Sequence, residues 1–136
     1  MKQFVFWTGM YNILLAISSL IPAVAKGLGL AVPDSRFYVW LPGILIIYLG
    51  VMLILASRDL EARASLVFWE GILRVGGFVV ALRYGFFGEF GASLGMVGVI
   101  DLIVGLVYII GLPRVLNRSM VALLLDRKSQ VPRGTS

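Results

Sequence analysis

The sequence contains no cysteine and no histidine, and only 14% of its 136 residues are charged. Disulfides, thiolate nucleophiles, zinc or haem held by Cys or His, and histidine proton shuttles are therefore excluded. We expect no cofactor and no metal. The groups that remain for chemistry are carboxylates, Arg, Tyr, Ser, Thr and Asn.

Apolar residues are in excess. They make up 60% of the chain, and the mean hydropathy is +0.97, whereas a soluble domain is about 45–50% apolar and roughly 25% charged. This composition is typical of a membrane protein, and the lipid bilayer is its expected partner. The net charge of +5 is more typical of basic loops facing anionic headgroups than of nucleic-acid binding, so no nucleic-acid partner is expected.

Four apolar stretches reach the about 20 residues that a transmembrane helix needs. They are residues 4–25, 37–56, 66–87 and 92–112. Because every backbone polar group must be satisfied inside lipid, the predicted fold class is an all-α integral membrane protein, built as a four-transmembrane-helix bundle. The length predicts a single domain over residues 1–128.

The two ends of the chain each allow two interpretations. Lys2 and the run Ala23-Val24-Ala25 fit a signal peptide, but the length of the first stretch and the polar Asn12 favour a spanning helix. Residues 113–128 contain either a short interfacial helix or a frayed apolar tail. The tail at 129–136 is either native or, from 131 onward, the remnant of a protease recognition site.

Basic residues are unevenly distributed between the two sides of the predicted bundle. The side of the N-terminus holds seven basic residues, namely Lys2, Arg58, Arg63, Arg114, Arg118, Arg127 and Lys128. The opposite side holds three, namely Lys26, Arg36 and Arg83. Both termini are therefore expected to be cytoplasmic. The size, the four spans and a Glu followed by a Gly pair (Glu70, then Gly76-Gly77) resemble small bacterial membrane proteins of the DoxX-like type. The resemblance implies a multi-pass protein of the bacterial inner membrane and transfers no residue roles.

Ionisable residues interrupt two of the apolar stretches, Glu70 and Arg74 in the third and Asp101 in the fourth. A charge in the bilayer is costly and usually persists with a partner or a function. A rise of about 1.5 Å per residue places Arg74 and Asp101 at nearly the same depth as Asn12. These three polar residues each lie on a helix face that also carries small residues; the face of Arg74 includes Gly77 and Ala81. Such faces predict close helix packing around inward-facing polar groups.

The predicted binding site for a ligand or proton follows from these positions. It comprises Glu70, Arg74, Asp101 and Asn12, with lining candidates Thr8, Ser19 and Tyr108, and no catalytic residue is assigned.

Two acids and one base leave one carboxylate without a counter-charge, and three interpretations follow. In the first, the protein binds or transports a small ligand or a proton, with Glu70 as the free group and Asp101 as the fixed partner of Arg74. In the second, the protein is a structural or assembly partner whose charges only hold the helices together. In the third, it is an enzyme acting on a lipid-like substrate. Four helices enclose little interior, which favours assembly into a homo-oligomer under each of the three interpretations.

Two four-residue segments match at an offset of 62 residues, Phe6-Trp7-Thr8-Gly9 and Phe68-Trp69-Glu70-Gly71. At this offset Asn12 corresponds to Arg74. The chain is either a parallel repeat of two helical hairpins, as in some transporters, or matches by coincidence of residues common at membrane entry.

Overall fold

The structure is a computed structural model that describes residues 1–30 and 32–127, and these residues form helices and turns without any strand. Four long helices carry the fold: α1 (Lys2–Leu20), α3 (Phe37–Arg58), α4 (Ala64–Ala81) and α5 (Ala92–Leu106). Two of them continue as π-helical turns, α4 through Leu82–Phe86 and α5 through Val107–Gly111. The short helices are α2 (Pro22–Gly27), α6 (Leu112–Leu116) and α7 (Met120–Leu124). The predicted tail at 129–136 lies outside the described residues.

Four helical segments are long and apolar enough to cross a membrane: α1, α3, α4 with its π-helical turn (Ala64–Phe86), and α5 with its π-helical turn and α6 (Ala92–Leu116). The last three begin and end close to the predicted spans. The first differs, because α1 ends at Leu20 instead of continuing to Ala25. Ile21 is extended, with φ −98° and ψ 106°, and Pro22 begins α2. Proline has no amide hydrogen and disfavours the helical conformation in the residue before it, which explains the break.

The long helices pack as two hairpins. In the first hairpin α1 packs along α3, and in the second α4 packs along α5. A Cβ atom on Gly9 would lie 2.7 Å from the carbonyl oxygen of Gly50, and one on Gly50 would lie 2.7 Å from that of Gly9. Gly71 and Gly105 cross in the same way, with distances of 3.1 and 2.8 Å. Each hairpin is therefore closed by a contact between backbones that only glycine permits.

The hydrophobic core occupies one end of the bundle. We call the end that holds the N-terminus and residues 57–65 the terminal end, and the end that holds residues 21–36 and 87–91 the loop end. Core side chains lie toward the terminal end and comprise Val5, Leu53, Ala56, Leu60, Ala64, Val67, Phe68, Val104, Tyr108, Leu112 and Leu123. The bundle is consequently packed at its terminal end.

The segment after α5 folds against this core. Ser119 caps α7 by accepting a hydrogen bond from the Ala122 amide at 3.1 Å. Leu123 is fully buried, and the Trp69 indole donates to the carbonyl oxygen of Leu124 at 3.1 Å. These contacts fasten α7 to α4.

Candidate functional site

Arg74 lies at the centre of the bundle and joins three helices. Its Nε donates to Glu70 Oε1 on the same helix at 2.6 Å, and its Nη1 donates to Asp101 Oδ1 on α5. Its Nη2 donates to Asn12 Oδ1 on α1 at 2.7 Å. We call these four residues the charged layer. The structure thus brings together all four residues of the predicted binding set.

Helix geometry accounts for these contacts. Glu70 and Arg74 are four residues apart on α4 and therefore share a face. The crossing of Gly71 with Gly105 brings α5 close, and a Cβ on Gly105 would lie 3.2 Å from Arg74 Cβ. Asp101 is one helical turn before Gly105, so its carboxylate reaches the guanidinium.

The two carboxylates differ in their exposure. The Glu70 side chain is 5% exposed and that of Asp101 27%. Glu70 Oε2 is buried and has no hydrogen-bond partner within the described residues, which is costly for a charged group. The sequence predicts Asp101 as the fixed partner of Arg74 and Glu70 as the free group. In the structure both pair with Arg74, and Asp101 is the more accessible.

A cleft of about 580 Å³ lies between the hairpins on the loop side of the charged layer. The charged layer forms its floor. Its walls are apolar or small residues, namely Leu15, Ile46, Leu49, Leu73, Gly76, Gly77, Val80, Ala81, Leu94, Val97 and Gly98. The packing is therefore tight within each hairpin and open between the hairpins.

Gly77 departs from the predicted close packing. A Cβ on Gly76 or Gly77 would meet no atom within 4 Å, because both residues border the cleft. Gly98 does follow the expectation, since its Cβ would collide with Ala81. The small-residue stripe thus serves two purposes, helix contact at Gly98 and open space at Gly77.

Two further cavities adjoin the cleft. One of about 240 Å³ lies at the loop end and shares Ile46 and Leu94 with the cleft. Ser19, a predicted lining residue, borders this cavity rather than the cleft, and its hydroxyl donates to the Ala16 carbonyl at 2.8 Å. The other, about 320 Å³, lies between α3 and α4 and reaches Glu70 from the side of Trp69.

Thr8 and Tyr108 lie on the terminal side of the charged layer. Their hydroxyls hydrogen-bond to each other, and Tyr108, in the π-helical turn after α5, is fully buried. The ring of Phe4 packs edge-on against that of Tyr108, with centroids 5.8 Å apart. This pair does not border the cleft. It separates the charged layer from the terminal end.

The layer offers acceptors for a ligand but little for a metal. Within residues 1–30 and 32–127, no group of three or more acidic side chains converges as a metal site would require. The cleft walls at Leu73, Val80 and Val97 were not predicted from the sequence. The small residues Gly77 and Ala81, three and seven positions after Arg74, were the available signal for space at this level.

Comparison with known proteins found no relative of this chain. The resemblance to DoxX-like proteins therefore remains one of size, span number and a Glu–Gly-Gly pattern. The chain matches no protein-family model, no curated protein and no solved structure.

Proposed function

We propose that this protein is a multi-pass membrane protein that binds or transports a small ligand through the cleft and the charged layer. One observation carries the proposal, the cleft of about 580 Å³ whose apolar walls end on a polar floor. Ligand sites are typically about 300–1,000 Å³, mostly apolar, with a few placed polar groups. The cleft has this size and this composition.

Exposed apolar side chains support the placement in a bilayer. Leu14, Ile44 and Val79 lie within long helices and are each more than half exposed. A continuous apolar belt of this kind requires lipid or a partner to cover it. The excess of basic residues at the terminal end supports cytoplasmic termini in a bacterial inner membrane. In that orientation the cleft lies on the side away from the cytoplasm.

We further infer that the two hairpins form a parallel repeat. Gly9 and Gly71 stand 62 residues apart, and each makes the glycine crossing of its own hairpin. Asn12 and Arg74 stand at the same offset and are hydrogen-bonded to each other. Binding sites in transporters built from repeats form at the interface of the repeats, and the cleft has that position.

Photolabelling of the full chain in lipid nanodiscs tests the proposed ligand site. The probe is decanol carrying a diazirine, and labelled residues are mapped by mass spectrometry. We expect saturable labelling at Val97, which borders the cleft, and its loss in Gly77→Leu, which fills the cleft. Val79 is the internal control, because it is exposed to lipid and should label without saturation. Labelling of Val97 that neither saturates nor responds to Gly77→Leu would contradict a ligand site.

A structural role is the second candidate, and the contacts of Arg74 favour it. One guanidinium ties α1, α4 and α5 together, which is how polar groups fasten helices in membrane bundles. A variant with the charges of the layer removed separates the candidates. If the variant folds and Val97 labels without saturation in both the variant and the unaltered protein, the charges serve only to hold the helices.

A further inference from the structure

The charged layer selects the chemistry of the ligand head, and this inference rests on the proposed function. Arg74 is the one basic residue among the described residues that border the cleft. Its three nitrogens already donate to Glu70, Asp101 and Asn12, and its side chain is 5% exposed. An anionic head would therefore have to displace an existing partner before it could bind the guanidinium.

The unfilled group of the layer is an acceptor. Glu70 Oε2 is buried without a hydrogen-bond donor in the described part of the chain. Asp101 uses Oδ1 for Arg74, and its side chain is 27% exposed where it borders the cleft. A ligand head that donates hydrogen bonds would therefore meet Asp101 at the surface of the cleft, whereas the buried Glu70 contributes its charge.

The charge count favours a cation. With every group ionised, two carboxylates and one guanidinium give the layer one excess negative charge. A monocation neutralises this charge, whereas an anion doubles it in a region where apolar walls strengthen electrostatic interactions. Leu73, Val80 and Val97 would then cover the apolar part of the ligand.

We propose that the cleft takes a monocationic amphiphile, an alkyl or aryl amine in its protonated form. The ammonium group donates to Asp101, the buried charge of Glu70 adds to its attraction, and the hydrocarbon part lies between the hairpins. Arg74 acts as a positioning residue, because it holds both carboxylates at the floor.

Competition against the diazirine probe tests this class with three ligands of equal chain length, namely decylamine, decanol and decanoate. The full chain is studied in zwitterionic nanodiscs at neutral pH, and Gly77→Leu is measured in parallel to subtract partitioning into lipid. We expect decylamine to displace the probe from Val97 at a concentration at least about tenfold below decanol, a difference of about 1.4 kcal/mol. Decanoate should be the weakest competitor.

Two variants connect the preference to the layer. Asp101→Asn and Glu70→Gln each remove the excess negative charge, and each should abolish the advantage of decylamine over decanol. Asp101→Asn keeps the test decisive if Glu70→Gln fails to fold, because Asp101 is the more exposed of the two. An advantage of decylamine that persists in a folded neutral variant would overturn the assignment.

The outcomes also separate this inference from the proposed function. If decanoate or decanol competes as well as decylamine and the competition is lost in Gly77→Leu, the cleft binds ligands but the amine assignment is wrong. If none of the three competes in a manner sensitive to Gly77→Leu, the ligand site itself is contradicted.

Discussion

Arg74 on α4 donates a hydrogen bond from its guanidinium to the amide oxygen of Asn12 on α1, 62 residues earlier in the chain, at 2.7 Å. The same guanidinium pairs with both carboxylates of the layer. The hydrogen bond links the first hairpin to the second at the floor of the cleft. Removal of Arg74 therefore affects the association of the hairpins as well as the charge balance.

Arg74→Leu should destabilise the protein by about 3–5 kcal/mol, because it leaves the buried Glu70 and the partly buried Asp101 without their counter-charge. The free energy of unfolding in mixed micelles, measured by denaturant titration, checks this. Arg83→Leu is the matched control, since Arg83 is exposed on the π-helical turn that follows α4, and its effect should stay within about 0.5 kcal/mol. Equal effects of the two variants would contradict the central position of Arg74.

Much of the charged layer could be predicted from the sequence, because helical rise and phase fix depth and face. Residues four apart on a helix share a face, so the pairing of Glu70 with Arg74 follows from their spacing. Counting residues from the start of each span places Asn12 and Asp101 at the depth of Arg74. The cleft was less predictable. A glycine that permits contact, such as Gly105, and a glycine that borders space, such as Gly77, look alike in a sequence. The relative accessibility of the two carboxylates depends on how the hairpins pack, which local spacing does not encode.

Removal of all three charges should be less harmful than removal of two. Arg74→Leu with Asp101→Leu leaves Glu70 buried and without its guanidinium. Adding Glu70→Met removes that remaining charge, so the triple variant should be more stable than the double variant despite the extra substitution. Denaturant titration of both variants provides the comparison. A triple variant no more stable than the double one would show that Glu70 is not strained by burial.

The glycines should divide into two classes. Gly50→Ala and Gly105→Ala should each cost about 1–3 kcal/mol, because the added methyl group collides with the backbone of the opposing helix. Gly76→Ala is the matched control on α4. Nothing lies within 4 Å of its Cβ position, so higher helix propensity should stabilise the protein by up to about 1 kcal/mol. Thermal unfolding of the three variants checks this order, and a loss at Gly76 equal to that at Gly105 would contradict it.

The ring of Tyr108 should contribute more to the stability of the protein than its hydroxyl. In Tyr108→Phe the Thr8 hydroxyl keeps the carbonyl oxygens of Phe4 and Val5 as acceptors, each at 3.0 Å. The expected loss is therefore about 1 kcal/mol. Tyr108→Ala removes a fully buried ring from the core at the terminal end and should cost about 3–5 kcal/mol. Unfolding free energies of the pair measure the difference. Equal losses would give the hydroxyl pair a larger role than these contacts imply.

Cysteine accessibility tests most directly whether the charged layer is the floor of an open cleft. The chain has no cysteine, so each single substitution can be read alone, and the space beside Gly77 accommodates a side chain. Two controls bracket the measurement. Ala16→Cys reports a fully buried site, and Val79→Cys reports the exposed apolar surface, because Ala16 is 0% and Val79 59% exposed.

The rate of alkylation of Gly77→Cys by a small polar maleimide, in folded protein in nanodiscs, is the decisive quantity. The thiolate is the reactive form, so reaction requires a site that water reaches. We predict that Gly77→Cys reacts faster than both controls and that decylamine slows it. If Gly77→Cys is as unreactive as Ala16→Cys, the hairpins are closed above Arg74 and the proposed ligand site does not exist.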